Sequence, residues 1–252
     1  MASYLRNEDL WLKCLNPKPD SIFRLFCFPP AGSGTLFFRD WMLSDIFPQA
    51  EVYALCMPGR ESRIEEPLLT TMESLTEPLL PCLTNFLEKP FFMFGHSLGA
   101  IVALELTLQL QSQNFPLPRK LFVSARQAPS NQSSKKMLHS LSDSELQKEL
   151  KLYGGTPDSV MNNKDLMSLF LPIIRADLKI NETYSLKNGI RTRLPISAFA
   201  GQTDQVISVA DVHQWERLTE EEFRLHTYPG GHFPSAHEKS SILEIIASDA
   251  IS

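Results

Sequence analysis

No stretch of this 252-residue sequence stays apolar for the roughly 18 residues that a membrane-spanning helix needs. Its opening, Ser3-Tyr4-Leu5-Arg6-Asn7-Glu8-Asp9, is too charged for a secretory leader. No two of the cysteines, Cys14, Cys27, Cys56 and Cys82, stand at C-x-x-C spacing, which argues against zinc-ribbon and thioredoxin chemistry. Cys27 and Cys56 lie in apolar runs, where a free thiol packs as a small hydrophobe. A reduced, cytoplasmic setting is expected, with no membrane partner. Positive charge is also in deficit. The net charge is −5 and the pI about 5.7, so the basic surface that nucleic acid requires is missing. There is no internal repeat and no low-complexity tract. What is present is 43% hydrophobic residues, enough for a large core without a metal or disulfide staple. The length is one that α/β folds reach as a single unit, so one domain over residues 1–252 is expected.

Apolar runs rich in β-branched and aromatic residues alternate with helical patterns. Ile22–Phe28, Val52–Leu55, Phe91–Phe94, Leu121–Ser124, Ile196–Ala200 and Phe223–Tyr228 read as buried strands. Leu98–Gln111 reads as a helix, as do segments near Val209–Arg217 and Glu238–Ala247. Thr71–Leu87 has helical apolar spacing, but Pro78 and Pro81 intrude and predict a kink. The alternation implies a mostly parallel sheet with helices on both faces, whose ligands bind beyond the carboxyl ends of the strands. Residues 126–186 break the pattern. A polar run, Pro129–Lys136, precedes a capping box at Ser142-Asp143-Ser144-Glu145 and a helix over Leu146–Leu152. Gly154 and Gly155 stop that helix, and Asn163–Phe170 and Ile173–Tyr184 read as two more. An all-helical block inserted between two sheet strands predicts a lid.

Gly95-His96-Ser97-Leu98-Gly99 matches G-x-S-x-G, with an apolar strand before it and a helix after it. The glycines permit a sharp turn that exposes the Ser97 hydroxyl at the strand's end. A serine needs a base, and in the α/β-hydrolase order the acid and then the histidine follow it. His232 follows a strand in Tyr228-Pro229-Gly230-Gly231-His232-Phe233 and is the expected base. His226 falls inside the strand, and His213 and His237 fall in or beside helices. Asp204, in Gly201-Gln202-Thr203-Asp204 after another strand, is the expected acid that holds the histidine tautomer. Asp211 is the fallback, while Asp177 in the lid and Glu105 in the elbow helix are poorly placed. The tetrahedral oxyanion needs preset donors. The Leu98 amide is one. The loop Phe28-Pro29-Pro30-Ala31-Gly32 supplies the other, and because proline has no N–H, Ala31 is the first available donor and Gly32 the second. This chemistry calls for no metal and no cofactor.

The sequence resembles the type II thioesterases, the stand-alone editing enzymes of polyketide and non-ribosomal peptide synthesis, and is similar to the medium-chain thioesterase of animal fatty acid synthase. The resemblance spans nearly the whole chain. It rests on Phe28–Gly32, Pro58-Gly59-Arg60-Glu61-Ser62-Arg63, Gly95–Gly99, Ser124-Ala125-Arg126-Gln127-Ala128-Pro129 and the Tyr-Gly-Gly-Thr-Pro at 153–157. Leu171-Pro172-Ile173-Ile174-Arg175-Ala176-Asp177, Gly201–Asp204 and Gly230–Phe233 complete it. It implies an α/β-hydrolase with triad Ser97, Asp204 and His232, a flexible helical lid over an acyl pocket, and a substrate tethered by phosphopantetheine to an acyl or peptidyl carrier protein. Two places depart from the pattern: glycine is commoner at the position of Ala125, and Ala-Gly-Gly is commoner than Ala31-Gly32-Ser33. Arg60 and Arg63 are read either as contacts for the pantetheine phosphate or an acidic carrier, or as surface partners of Glu61, Glu65 and Glu66, with the second favoured. Lys135 and Lys136 are read as solvated. Met161, Met167, Leu169 and Phe170 are read either as pocket lining or as plain core. A monomer is expected. A general esterase, an acyltransferase and a non-catalytic binding module on the same fold remain the rival readings.

Overall fold

The computed structural model describes residues 10–42, 49–129, 137–187 and 189–251. The charged opening segment and most of the polar run 129–136, with Lys135 and Lys136, lie outside the described residues. Seven strands form one sheet: β1 (Leu12–Cys14), β2 (Phe23–Phe28), β3 (Ala50–Leu55), β4 (Phe91–His96), β5 (Leu121–Ser124), β6 (Ile196–Gly201) and β7 (Phe223–Tyr228). Their order is β1-β3-β2-β4-β5-β6-β7, and every pairing is parallel except β1 with β3. The main helices are α1 (Met72–Thr84), α2 (Leu98–Ser112), α3 (Asp143–Tyr153), α4 (Lys164–Thr183), α5 (Val209–His213) and α6 (Ala236–Ile251). None of the described helices is long and apolar enough to cross a membrane.

Side-chain alternation divides the sheet into two dry faces. On β2, Phe26 and Phe28 enter one core with residues of α1 and α2, while Phe23, Leu25 and Cys27 enter a second with Ile242, Leu243 and Ile246 of α6. Both faces being covered explains why the parallel strands read as continuous apolar runs rather than as alternating ones. The six expected strands are all present. β1 was not foreseen, since three residues are too few to show a period.

Two helices differ from expectation, and proline is involved in both. α1 runs without interruption from Met72 to Thr84 through Pro78 and Pro81, opened by a capping box between Thr71 and Ser74. Both prolines are exposed, so they sit on the outer side of the helix, away from the packed face. Asn163–Phe170 and Ile173–Tyr184 are one helix, α4, and Pro172 within it is likewise exposed. The face of α4 opposite Pro172 carries Met167, Leu171, Ile174 and Leu178, which join Leu146 and Met161 in a small core separate from the two sheet cores. That apolar stripe holds the helix together across the proline.

Candidate active site

The chain turns from β4 into α2 through Ser97, which has φ 53° and ψ −114°. A non-glycine residue is costly there and persists only where its surroundings fix it. The fixing is visible on both sides of the turn. The Ser97 N–H donates to Ser124 O at 2.8 Å. A Cβ on Gly95 would fall 2.2 Å from Gly99 O, and one on Gly99 would fall 1.9 Å from Phe28 O. Both glycines of the motif are therefore demanded by close backbone approach, and the outcome is a serine at the mouth of a helix N-terminus.

His232 follows β7, and its imidazole is almost fully buried. Nδ1 lies 2.8 Å from Asp204 Oδ2. Asp204 stands just past β6, in a turn where the Thr203 N–H bonds Gly230 O at 3.1 Å and so ties the two strand ends together. Its other oxygen, Oδ1, accepts the N–H groups of Val206 (2.8 Å) and Ile207 (3.0 Å). Burial alone would raise the Asp204 carboxyl, but the hydrogen bond and charge of His232 and these two amides hold it below the usual value. An ionised acceptor at Nδ1 assigns the proton to Nδ1 and leaves Nε2 as the basic nitrogen. Tyr153, at the end of α3, packs edge-on to the His232 ring with centroids 4.9 Å apart. His96 packs beside it, contacts Ser124 Oγ through Nδ1 at 3.1 Å, and is kept neutral because burial drives its pKa well below the ordinary imidazole value.

Ser97 and His232 line the same cavity, of about 230 Å³, together with Pro30, Ala31 and Gly32. Among the described residues Ser97 Oγ and His232 Nε2 make no hydrogen bond to each other. Neither the Ala31 nor the Leu98 N–H has a partner among those residues either. The far wall is apolar and comes from the helical block: Leu150, Val160, Phe170, Ile174 and Leu178. Of the four side chains left between pocket and core, Phe170 lines the cavity, Met161 and Met167 are buried in the block's own core, and Leu169 is exposed. Arg126 closes one end, donating from Nη2 to Asn181 O in the last turn of α4 at 3.3 Å. Burial brings its pKa down to about 10, so it keeps its charge at neutral pH.

The other candidates are placed elsewhere. Asp211 caps α5 by accepting from the Ser208 N–H and hydroxyl. Glu105 takes the Tyr184 hydroxyl. The His226 ring stacks on Phe199, and His213 and His237 are exposed or close to it. Arg63 does pair locally, with Glu66, and lies over the Trp11 ring. Arg60 does not pair with its glutamate neighbours. It forms a bidentate pair with Asp177 at 2.6 and 2.7 Å, a contact illegible in the sequence because 117 residues separate the two.

Comparison with known proteins identifies the family. A family model described as a thioesterase domain matches residues 23–249. The gramicidin S biosynthesis protein GrsT of Aneurinibacillus migulanus is 33% identical over 97% of this chain and 95% of its own length. The medium-chain S-acyl fatty acid synthase thioesterase of Rattus norvegicus is 32% identical over 90% of this chain and 87% of its own. The solved structure of BorB, a type II thioesterase from the borrelidin biosynthetic cluster, superposes with a TM-score of 0.85 at 35% identity, covering 95% of this chain and 97% of that one. The chain is therefore an enzyme of the thioesterase family, built on the α/β-hydrolase fold.

Proposed function

We propose that this enzyme hydrolyses acyl groups held as thioesters on the phosphopantetheine arm of an acyl or peptidyl carrier protein, as an editing or chain-releasing enzyme. The observation that carries the reading is the strained Ser97 turn opening into the same cavity as the His232–Asp204 pair. Ser97 and His232 share one cavity, and catalytic hydrogen bonds of this kind often tighten only once substrate is bound. Ser97 Oγ then attacks the thioester carbonyl carbon while Nε2 takes its proton. The N–H groups of Leu98 and Ala31 hold the oxyanion, and each such donor is worth about 3 kcal/mol. The C–S bond breaks, the imidazolium protonates the departing thiolate, and an acyl-Ser97 ester remains. Water, deprotonated by His232, attacks that ester and releases the free acid and the serine. Asp204 keeps the ring in the correct tautomer throughout. In this reading residues 126–186 are the lid of a single catalytic domain, and the apolar wall it presents receives the acyl chain.

The test is hydrolysis of a matched series: acyl-carrier-protein thioesters, acyl-CoA thioesters and p-nitrophenyl esters of the same acyl groups, with Ser97→Ala alongside. The expected result is a higher kcat/KM on the carrier-bound series, abolished in the variant. Faster cleavage of the plain esters with no advantage from the carrier would replace this reading with a general esterase.

A further inference from the structure

The loop that supplies the Ala31 amide is tied to the lid by a buried ion pair to which the mechanism above gives no part. Asp177 lies on α4 with its side chain fully buried. Arg60, from the turn after β3, places Nη1 2.6 Å from Oδ2 and Nη2 2.7 Å from Oδ1. The same Oδ2 accepts the Gly32 N–H at 2.7 Å, and Arg60 Nη1 also donates to Ser33 O at 2.9 Å. One carboxylate thus joins the loop after β2, the turn after β3 and the long helix of the lid.

The loop's own geometry says what this junction controls. A Ser33 N–H to Pro30 O bond of 3.1 Å closes a four-residue turn, and Gly32 in its third place has φ +75°, as a type II turn requires. In a type II turn the middle peptide is flipped relative to the commoner type I. Here that peptide carries the Gly32 N–H, so Asp177 is the acceptor that decides which way it faces. Ile174, one helical turn before Asp177, closes the other side: a Cβ on Gly32 would lie 2.6 Å from its Cγ1. Gly32 therefore cannot serve as the oxyanion donor, since its hydrogen is already taken. Ala31, one peptide earlier, is left as the donor, and it belongs to the same turn that Asp177 and Arg60 pin to α4. A buried ion pair is a poor device for stability alone, because apolar side chains of the same volume hold a helix as well or better. What it adds is a fixed geometry.

We propose that Asp177 and Arg60 are positioning residues for acyl transfer, which aim the Ala31 amide at the oxyanion only while the lid helix is docked, so that closing the lid and completing the oxyanion hole are one event. The proposal rests on the reading of Ser97 and Ala31 above.

The decisive variant is the double exchange Arg60→Met with Asp177→Leu, which removes both charges and keeps the packing volume, so that neither partner is left buried alone. Asp177→Asn is the second, milder variant. Three quantities are measured on each: the denaturant midpoint, kcat and KM on an acyl thioester, and the rate at which a fluorophosphonate labels Ser97. The phosphoryl oxygen of that probe needs the same two amides, whatever the natural substrate is. The expected result is a folded double variant with KM within about threefold of the parent, and with kcat and labelling rate lowered together by about 10- to 100-fold, the effect of a donor displaced by about 1 Å. Asp177→Asn falls in between, because its amide oxygen can still accept the Gly32 N–H. Unchanged labelling in either folded variant overturns the proposal. A parent enzyme that labels at Ser97 but cleaves no thioester would sink the functional reading instead, and the labelling rates of the variants would still judge the clamp.

Discussion

Asp204 divides its two carboxylate oxygens between different tasks, and that division makes its removal predictable. Oδ1 is held by two backbone amides and Oδ2 faces His232. In Asp204→Asn the amides retain the side-chain oxygen, which leaves the NH₂ group directed at Nδ1. The imidazole must then carry its proton on Nε2 and has nothing with which to accept the proton of Ser97. kcat should fall by about 10⁴ with KM nearly unchanged, the loss this exchange brings to a serine triad. A drop of less than tenfold in steady-state assays would show that Asp204 does not orient the base. Ser97, His232 and Asp204 could be singled out in the sequence because each sits beside a strand end, and strand ends are marked by apolar runs followed by glycine. Arg60 could not be assigned its partner in this way, since its only visible acids were the neighbouring glutamates and Asp177 lies on a distant helix. Ala125 stands where glycine is commoner, and the structure gives the reason glycine suits the position: its φ is +50°.

At the scale of elements, two glycines separate steric necessity from conformational preference. Gly99 packs the start of α2 against β2, where a Cβ would lie 1.9 Å from a backbone oxygen that cannot swing aside. Gly154 ends α3 in the left-handed region at φ 72°, with open space around the Cβ position. Gly99→Ala should cost about 3 kcal/mol or more, because α2 must move bodily. Gly154→Ala should cost about 1 kcal/mol, the strain of the backbone alone. Denaturant midpoints of the two variants measure the difference, and equal losses would mean that β2 and α2 can separate freely. Prolines misled the reading of elements in the opposite direction. A proline within a helical pattern signals a break when the sequence alone is considered, but Pro78, Pro81 and Pro172 all lie on exposed faces, while apolar residues on the other side keep α1 and α4 whole. Which side of a helix faces solvent is set by tertiary packing, and the residues next to a proline do not reveal it.

For the whole molecule, the mostly parallel sheet and its two-sided burial follow from the alternation of strand and helix, whereas the strand order does not, and the edge strand β1 is too short to register. The sheet brings His96 to its centre, enclosed by Phe37, Phe233 and His232 and held neutral by burial. In the unfolded chain the same imidazole titrates near 6.5. Below that pH the unfolded state takes up a proton that the folded state refuses, so stability is intact above about pH 7 and declines as the pH falls through 6.5. One such group gives a slope of about 1.4 kcal/mol per pH unit. His226, half-buried and also lowered, adds in the same direction. The lowered Asp204 extends the loss to more acid conditions, where its carboxylate is protonated. His96→Gln should flatten the decline between pH 6.5 and 5 in denaturant titrations, and an unchanged slope would assign the acid sensitivity to other groups. The unbroken α4 has a mechanical consequence of its own. Anchored at Asp177, it is a lever with unequal arms: about 20 Å toward Lys164 and about 9 Å toward Thr183. Any rocking of that rod moves the tip near Lys164 roughly twice as far as the end that Arg126 grips, by the ratio of those arms. The Lys164 tip therefore travels farthest, while Phe170 on the cavity wall, about 10 Å from Asp177, moves about as far as the Thr183 end.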